Sequence, residues 1–214
     1  NGRKILKHCR KSPSFTNHRY PQYILFYWNF IQTVHMFLIY SGGPIFTMKL
    51  SKKIPEYIPA DSYLEVSNSL FRDIYTLYCG RQKCPSLYSF GPAVRECYLL
   101  HFCLDGCGDF YANDQHYHLE KGQGFLICPN ELTFYQADEA HPWTYAWIGL
   151  SGEQVSHYLD LAGISSRTPV FRCPDVDLIR SDIDDMIAHH TLSYSCEVHI
   201  QGVLMKILSY LIEV

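Results

Sequence analysis

Between residues 98 and 150 the chain alternates short apolar runs with clusters of turn-forming residues. Each run is four to eight residues long, and glycine, proline, asparagine or aspartate stands between successive runs. Short strands at such regular spacing are typical of small antiparallel barrels. The pattern therefore predicts a mainly β fold, an antiparallel barrel or jelly roll, with strands at 98–104, 109–112, 116–119, 125–128, 132–136 and 143–150.

The region before these strands is less regular. Residues 64–79 are apolar and aromatic with mixed spacing, which fits either a strand or a short helix. The glycine and proline residues at 79–85 and in Phe90-Gly91-Pro92 indicate two loops.

After residue 150 the apolar positions change to the spacing of a helix. Ser151 and Gln154 have the spacing of a capping box, and Gly163 is suited to end the helix predicted at 155–162. We expect Ser151 to be the N-cap of this helix.

A short strand is predicted at 169–171, a second helix at 175–190 and a third at about 197–214. The third helix carries an apolar stripe of Ile200, Val203, Leu204, Ile207, Leu208, Leu211 and Val214. The stripe predicts either packing against the barrel or a helix-helix seam with a second subunit.

Three aromatic residues, Trp143, Tyr145 and Trp147, alternate with single residues in the last predicted strand. Side chains at this spacing point to the same face of a strand. Three large rings on one face of a small sheet imply either a thick core or the wall of a ligand cavity.

The first 47 residues differ in charge from the rest of the 214-residue chain. They hold six of the 18 Lys and Arg residues and none of the 21 acidic residues, which leaves a formal charge of −9 for residues 48–214. An acidic domain repels phosphate backbones, so residues 48–214 are poor candidates for direct contact with DNA or RNA.

Two interpretations fit residues 1–47. The basic start and the apolar run at 23–40 resemble a weak membrane anchor, although polar side chains within the run would each cost free energy in a bilayer. Alternatively, the chain is natively initiated at Met48, and residues 1–47 are an upstream extension. We favour the extension, followed by a barrel domain at 48–172 and a helical segment at 173–214.

The nine cysteines are scattered, odd in number and include no C-x-x-C pair. A structural zinc site needs closely spaced ligands, so we expect reduced thiols in a cytoplasmic protein without a bound cofactor or metal. His116 and His118, with Glu120, could ligate a metal from one strand face, but a solvent-exposed hairpin is the favoured interpretation.

No nucleophile elbow, Walker loop or dinucleotide fingerprint is present, so no catalytic residue is predicted. His101 lies within an apolar strand and is expected to be a hydrogen-bonded core residue. Arg95 precedes that strand, where its guanidinium is suited either to hold a ligand at the barrel mouth or to form a surface ion pair.

A series of ordered motifs resembles the N-terminal effector-binding and dimerisation domain of AraC-type transcriptional regulators, in particular the sugar-responsive branch. The motifs are C-G-R-Q-K-C-P at 79–85, F-G-P at 90–92, Y-L-L-H-F at 98–102, G-C-G at 106–108, K-G-Q-G-F-L-I-C-P at 121–129, Y-Q-A-D at 135–138 and P-W-T-Y-A-W-I-G at 142–149. Each is weak alone, and their order makes the resemblance specific.

The resemblance implies a cupin-like β-barrel that binds a small effector, commonly a sugar, followed by helices that pair two subunits into a homodimer. It implies effector contacts from Tyr135, Tyr145 and Trp147, to which we add Trp143 and Arg95, although Arg95 does not stand at the family's offset. The family carries its helix-turn-helix motifs after the dimerisation helices, so DNA would be bound only through a domain that these residues do not include. The alternative is a cupin-type metalloenzyme acting on a sugar or a small acid.

Overall fold

The computed structural model describes residues 63–173 and 175–213, together with the backbone of two short strands, β1 (His35–Leu38) and β2 (Phe46–Lys49). β1 and β2 pair antiparallel, and β2 extends across the boundary predicted between residues 47 and 48. The remaining predictions for residues 1–47 fall outside the described residues, and the domain division stays a prediction. Of the helices described, none combines the length and apolar character needed to cross a membrane.

Ten further strands follow in the described part of the chain. They are β3 (Tyr63–Glu65), β4 (Tyr75–Lys83), β5 (Ser89–Val94), β6 (Tyr98–Asp105), β7 (Cys107–Ala112), β8 (Gln115–Glu120), β9 (Gln123–Ile127), β10 (Leu132–Ala137), β11 (Thr144–Ser151) and β12 (Val170–Arg172). Strands β6 to β11 correspond to the six predicted from the alternation of apolar runs and turns. The predicted mainly β fold is confirmed.

The strands form two antiparallel sheets that face each other. One has six strands in the order β12-β9-β6-β11-β4-β3, and the other has four in the order β5-β10-β7-β8. Their inner faces meet in a core rich in aromatic residues, to which both sheets contribute. The arrangement is the antiparallel jelly-roll barrel expected from the sequence.

Three helices cover the outer face of the six-stranded sheet, namely α1 (Val155–Leu161), α2 (Val176–Ala188) and α3 (Tyr194–Ile212). β11 contributes to both cores because its side chains alternate between the two faces. Ala146, Ile148 and Leu150 pack in the core shared with the helices, whereas Tyr145 and Trp147 pack in the core between the sheets.

The apolar stripe of α3 is buried within this chain. Its residues belong to the core formed with α2 and the six-stranded sheet, and they are Ile200, Val203, Leu204, Ile207, Leu208 and Leu211. Packing against the barrel is therefore the correct alternative for this stripe. The opposite face of α3 exposes Val198, Met205 and Ile212, at 54%, 36% and 41% of their surface.

Glu197, in the first turn of α3, binds the loop that joins β3 to β4. Its Oε1 accepts hydrogen bonds from the backbone N–H groups of Ser69 at 2.6 Å and Leu70 at 2.5 Å. Its Oε2 accepts a third from the Ser69 hydroxyl at 2.9 Å. The start of α3 is thus fixed to this loop by one side chain.

Both loop predictions were wrong in part. Residues 79–83 belong to β4, which pairs along its length with β11. Phe90-Gly91-Pro92 lies inside β5, at the edge of the four-stranded sheet. Gly91 has a φ of +99°, and proline lacks a backbone donor; an edge strand accommodates both features more readily than a central one.

The predicted capping box was also wrong. Ser151 is the last residue of β11, and the N-cap of α1 is Gln154, whose side chain makes no capping bond. The N–H groups of Glu153 and Gln154 instead donate to the carbonyl oxygens of Arg72 and Asp73. The segment before β4 thus fixes the two residues that precede the first helical residue of α1.

The other helix boundaries are close to those expected. Gly163 follows α1 with a φ of +68°, as expected for a residue that ends a helix. Asp175 caps α2 by accepting from the N–H groups of Asp177 and Leu178. α3 begins earlier than predicted because Ser193 caps it through the N–H of Cys196.

Candidate functional site

Strand β11 directs two aromatic side chains into the core between the sheets, and Trp143 joins them from the residue immediately before the strand. Trp143, Tyr145 and Trp147 are 0%, 3% and 6% exposed. Neighbouring rings contact edge to face, with centroids 5.8 Å apart for Trp143 and Tyr145 and 5.5 Å apart for Tyr145 and Trp147. The period-two spacing thus places all three on one inner face.

The opposing sheet supplies Tyr135, which the sequence also singled out. Its ring meets Tyr145 edge to face at 6.0 Å and stacks on Phe90 of β5 at 5.7 Å. Arg95 follows β5, and its guanidinium carbon lies 4.4 Å from the centre of the Phe90 ring. The structure thus brings the five predicted site residues to one region, with Arg95 at its partly exposed border.

His101 lies at the centre of this aromatic cluster. Its ring stacks on Phe125 at 4.4 Å and contacts Tyr135 and Tyr145 at 4.9 and 5.2 Å. Burial, and to a lesser extent the charge of Arg95, holds the pKa of His101 well below its ordinary value, so the ring is neutral near pH 7.

His101 is buried as predicted, but its Nδ1 has no hydrogen-bond partner among the described residues. The expectation of a fully hydrogen-bonded core histidine was wrong for this atom. A buried polar atom without a partner costs about 1–3 kcal/mol, so its presence in a central position calls for a functional explanation.

Trp143 contains a second buried polar atom that is poorly satisfied, because its Nε1 has no oxygen or nitrogen partner in the described part of the protein and faces only the weakly accepting thiol of Cys84. Its ring packs against Gly108 of β7, where an added Cβ would lie 2.4 Å from Cε3 of Trp143. Gly108 therefore lets β7 approach the indole closely.

The tyrosine hydroxyls of the cluster are neutral. Burial is the main cause that raises the pKa of both Tyr135 and Tyr145 above the ordinary value. The hydroxyl of Tyr145 donates a long hydrogen bond of 3.4 Å to Oε1 of Gln82. The site therefore combines apolar ring faces with neutral polar groups and the single positive charge of Arg95 at its border.

Tyr63 and Tyr78 extend the aromatic cluster toward solvent. The ring of Tyr63 lies 6.5 Å from that of Trp147 and 6.3 Å from that of Tyr78, and both tyrosines are partly exposed. These two residues and Phe90 were not predicted as site residues. They come from β3, β4 and β5, which the sequence pattern left uncertain or assigned to loops.

The histidine pair of β8 lies outside the barrel. Nε2 of His116 and Nδ1 of His118 lie 2.8 and 3.0 Å from the same oxygen of Asp109. Both histidines are exposed, whereas Tyr117 and Leu119 point inward. The interpretation as a solvent-exposed hairpin is confirmed.

The cysteines in the described residues are all free thiols. Burial raises the pKa of Cys79, Cys84 and Cys103 to about 12, which disfavours the reactive thiolate. None of these three has the properties of a nucleophile.

Comparisons with known proteins agree with the resemblance stated above. The chain is 39% identical over 95 residues to the Msm operon regulatory protein of Streptococcus mutans. The aligned region covers 44% of this chain and 34% of that protein. It is 35% identical over 91 residues to the raffinose operon transcriptional regulatory protein RafR of Pediococcus pentosaceus, covering 42% and 32% of the two chains. The matches span about a third of the length of these relatives.

Similar solved structures include ToxT of Vibrio cholerae bound to a naphthalenyl butenoic acid, with 13% identity, a TM-score of 0.36 and coverage of 70% of this chain and 58% of that one. A cupin protein of Bacteroides fragilis has 14% identity, a TM-score of 0.34 and coverage of 50% and 90%.

The family described as the AraC-like ligand binding domain matches residues 77–193, which include most of β4, all of β5 to β12, α1 and α2. The matched region is more than half of the chain and contains the whole aromatic cluster except Tyr63. The chain belongs to the family of AraC-like ligand binding domains.

Proposed function

We propose that this chain is the effector-sensing part of a transcriptional regulator and that it binds a small hydroxylated molecule, a sugar or a glycoside, between the two sheets. The relatives are regulators whose names refer to the Msm, raffinose and lactose operons, which supports a carbohydrate effector. Regulation of transcription also favours a cytoplasmic protein without catalytic activity.

The observation that carries this proposal is a pair of poorly satisfied polar atoms within the aromatic cluster. Nδ1 of His101 is buried among ring faces without a hydrogen-bond partner in the described residues, and Nε1 of Trp143 has there only the weakly accepting thiol of Cys84. A sugar offers hydroxyl groups to such atoms and apolar C–H faces to the surrounding rings. The same molecule would therefore satisfy both kinds of surface.

The border of the cluster is suited to admit such a ligand. Tyr63, Tyr78 and Arg95 are partly exposed, and Trp147 lies next to Tyr63. The rings of the cluster are in mutual contact, so binding requires Trp147 and its neighbours to move apart. Arg95 would then hold a hydroxyl or carboxylate of the ligand with its planar donors.

β11 provides a direct route from the ligand to the helices. Tyr145 and Trp147 face the proposed ligand, while Ala146 and Ile148 on the same strand pack in the core shared with α2 and α3. Suppose that β11 has two positions, each with its own arrangement of the helices. A ligand that binds one of them better would shift the equilibrium toward that arrangement by the difference between the two binding free energies.

We further propose that the chain forms a homodimer in which the exposed face of α3 packs against the same face of a second copy. Val198, Met205 and Ile212 recur at seven-residue intervals and remain 36–54% exposed. Apolar residues at this interval lie along one line of the helix and supply one of the two apolar positions of each heptad in paired helices. DNA would be bound by a further domain of the full regulator, because the acidic balance of residues 48–214 opposes contact with phosphates.

The metal-dependent enzyme is the weaker alternative. A cupin-type centre needs ligands that point into the barrel, and the His116 and His118 pair points outward. The position of these histidines therefore supports the sensor over the enzyme.

A thermal-shift screen of the 214-residue chain against neutral mono-, di- and trisaccharides, including raffinose and lactose, tests the proposal. A ligand at 100 times its Kd stabilises the folded state by about 2.7 kcal/mol, which raises the Tm of a domain this size by about 5–10 °C.

Calorimetry on the sugar that binds then tests the site. Trp147→Ala should weaken binding by at least about fivefold, because an aromatic contact contributes about 1 kcal/mol beyond burial. Tyr111→Ala removes a partly buried ring from the outer side of β7 and should leave the affinity unchanged. If no sugar raises the Tm, or if Trp147→Ala binds as tightly as the unaltered chain, the proposed site is wrong.

A further inference from the structure

A cluster of two histidines and one carboxylate joins the end of α2 to the start of α3. Asp185 lies in the last turn of α2, His189 is the C-cap of that helix, and His199 lies in α3. One ring nitrogen of each histidine and one oxygen of Asp185 all lie within 4.8 Å of one another. We propose that these three side chains form a binding site for a divalent transition metal ion of the zinc type.

The sequence places the three ligands close together by helix geometry. Asp185 and His189 are four residues apart and share a face of α2. The antiparallel neighbour α3 then brings Nε2 of His199 to 2.8 Å from Oδ2 of Asp185. The two imidazole rings lie against each other with centroids 3.8 Å apart and planes inclined by 25°.

The hydrogen bonds of His189 suit metal ligation. Its Nδ1 lies 2.8 Å from the backbone carbonyl oxygen of Asp185, and a carbonyl oxygen only accepts, so Nδ1 must donate. The same Nδ1 lies 3.3 Å from Oδ1 of Asp185, so Nε2 is the nitrogen that would ligate a metal. Metal-binding histidines usually have their second ring nitrogen fixed by a carbonyl or carboxylate in this way.

Binding requires the two stacked imidazoles to rotate until one nitrogen of each ring points at the ion. Ligand atoms in a tetrahedral zinc site lie about 3.3 Å apart, given metal–ligand bonds of about 2.0–2.1 Å. The side chains of Asp185, His189 and His199 are 38–42% exposed, so they are free to rotate, and water can complete the coordination. Two imidazoles and one carboxylate are a donor set preferred by zinc and its neighbours over magnesium or calcium.

A bound ion would link α2 to α3 at the segment that connects them. This segment and the first turn of α3 line a groove of about 410 Å³ beside β3, which also includes His189 and Glu197. The metal would stabilise the helix pair without contact with the aromatic cluster, so the site is independent of the proposed effector site.

Calorimetric titration of the chelator-treated 214-residue chain with Zn²⁺, in a thiol-free reductant, tests the site. We expect one ion per chain. His199→Ala and Asp185→Asn should each weaken binding by at least about tenfold, since even changes to groups around metal ligands have effects of that size. The double variant His116→Ala/His118→Ala removes the two histidines that contact Asp109 on the β7–β8 hairpin, and it should leave the affinity for Zn²⁺ unchanged.

Cobalt substitution separates this site from the thiols. Co²⁺ at the proposed site should show visible absorption without the intense near-ultraviolet band of thiolate ligands. The proposal is overturned if the unaltered chain fails to bind Zn²⁺, if His199→Ala and Asp185→Asn bind it normally, or if a thiolate band accompanies Co²⁺ binding.

Discussion

Replacement of Gly108 by alanine should destabilise the fold through the wall of the aromatic cluster. An added Cβ would lie 2.4 Å from Cε3 of Trp143 and 2.6 Å from the backbone oxygen of Gln136. Ordinary van der Waals contacts begin near 3.4 Å, so β7 and Trp143 would have to separate by about 1 Å.

Neither neighbour is free to move. Trp143 is fully buried and is enclosed by Phe125, Tyr135 and Tyr145 at ring distances of 6.0, 6.3 and 5.8 Å. The oxygen of Gln136 belongs to β10, which pairs with β7 itself. Overpacking of this kind costs about 1–3 kcal/mol, and we expect the upper part of that range.

Urea unfolding followed by tryptophan fluorescence and circular dichroism measures the effect. A loss of about 2–3 kcal/mol corresponds to a fall in Tm of about 4–12 °C for a domain of this size. Gly202→Ala is the matched control, because a Cβ at that position of α3 meets nothing within 4 Å. It should stabilise the protein by about 0.5–1 kcal/mol through helix propensity. Equal stability of Gly108→Ala and the unaltered chain would refute the close-contact argument.

Three further predictions concern His101 and two residues of α3. Because the pKa of His101 is lowered in the folded state, its neutral form contributes stability that is present above pH 6.5 and is lost as the pH falls. The urea concentration at the midpoint of unfolding should therefore decrease from pH 7.5 to pH 5. His101→Phe removes the titrating group and should make this decrease smaller. On α3, Ile207→Ala should lower the free energy of unfolding by about 2–5 kcal/mol because Ile207 is fully buried. Met205→Glu, on the exposed face, should leave the fold stable and convert a dimer to a monomer in sedimentation velocity; an unchanged sedimentation coefficient would place the dimer contact elsewhere.

The strands from 98 to 150 could be predicted from sequence because each one is a short run of residues that is bounded by turn-forming residues. The strand conformation of residues 79–83 and 90–92 could not be predicted in this way. Glycine and proline usually indicate a turn, and here a paired strand fixes their backbone. The contacts that fix them come from β11 and β10, far along the chain. Local patterns do not contain that information.

The aromatic cluster was predicted in part for the same reason, whereas its role as a ligand site stays a prediction. Trp143, Tyr145 and Trp147 share a face by local spacing alone, and the resemblance supplied Tyr135. His101 was correctly placed in the core, but its unpartnered Nδ1 depends on Phe125, Tyr135 and Tyr145, which come from three other strands. Tyr78 joins the cluster through the pairing of β4 with β11, and Tyr63 joins it through the pairing of β3 with β4.

The three hydrogen bonds from Glu197 to the loop at Ser69 and Leu70 connect two parts of the protein that have separate proposed tasks. The loop lies between β3 and β4, which carry Tyr63 and Tyr78, and Glu197 lies in the helix whose exposed face is proposed to contact a second subunit. A movement of either tyrosine strand that displaces this loop must break these bonds or carry the first turn of α3 with it. Under the proposed function, a ligand at the barrel mouth and the orientation of α3 would therefore be mechanically coupled through one carboxylate.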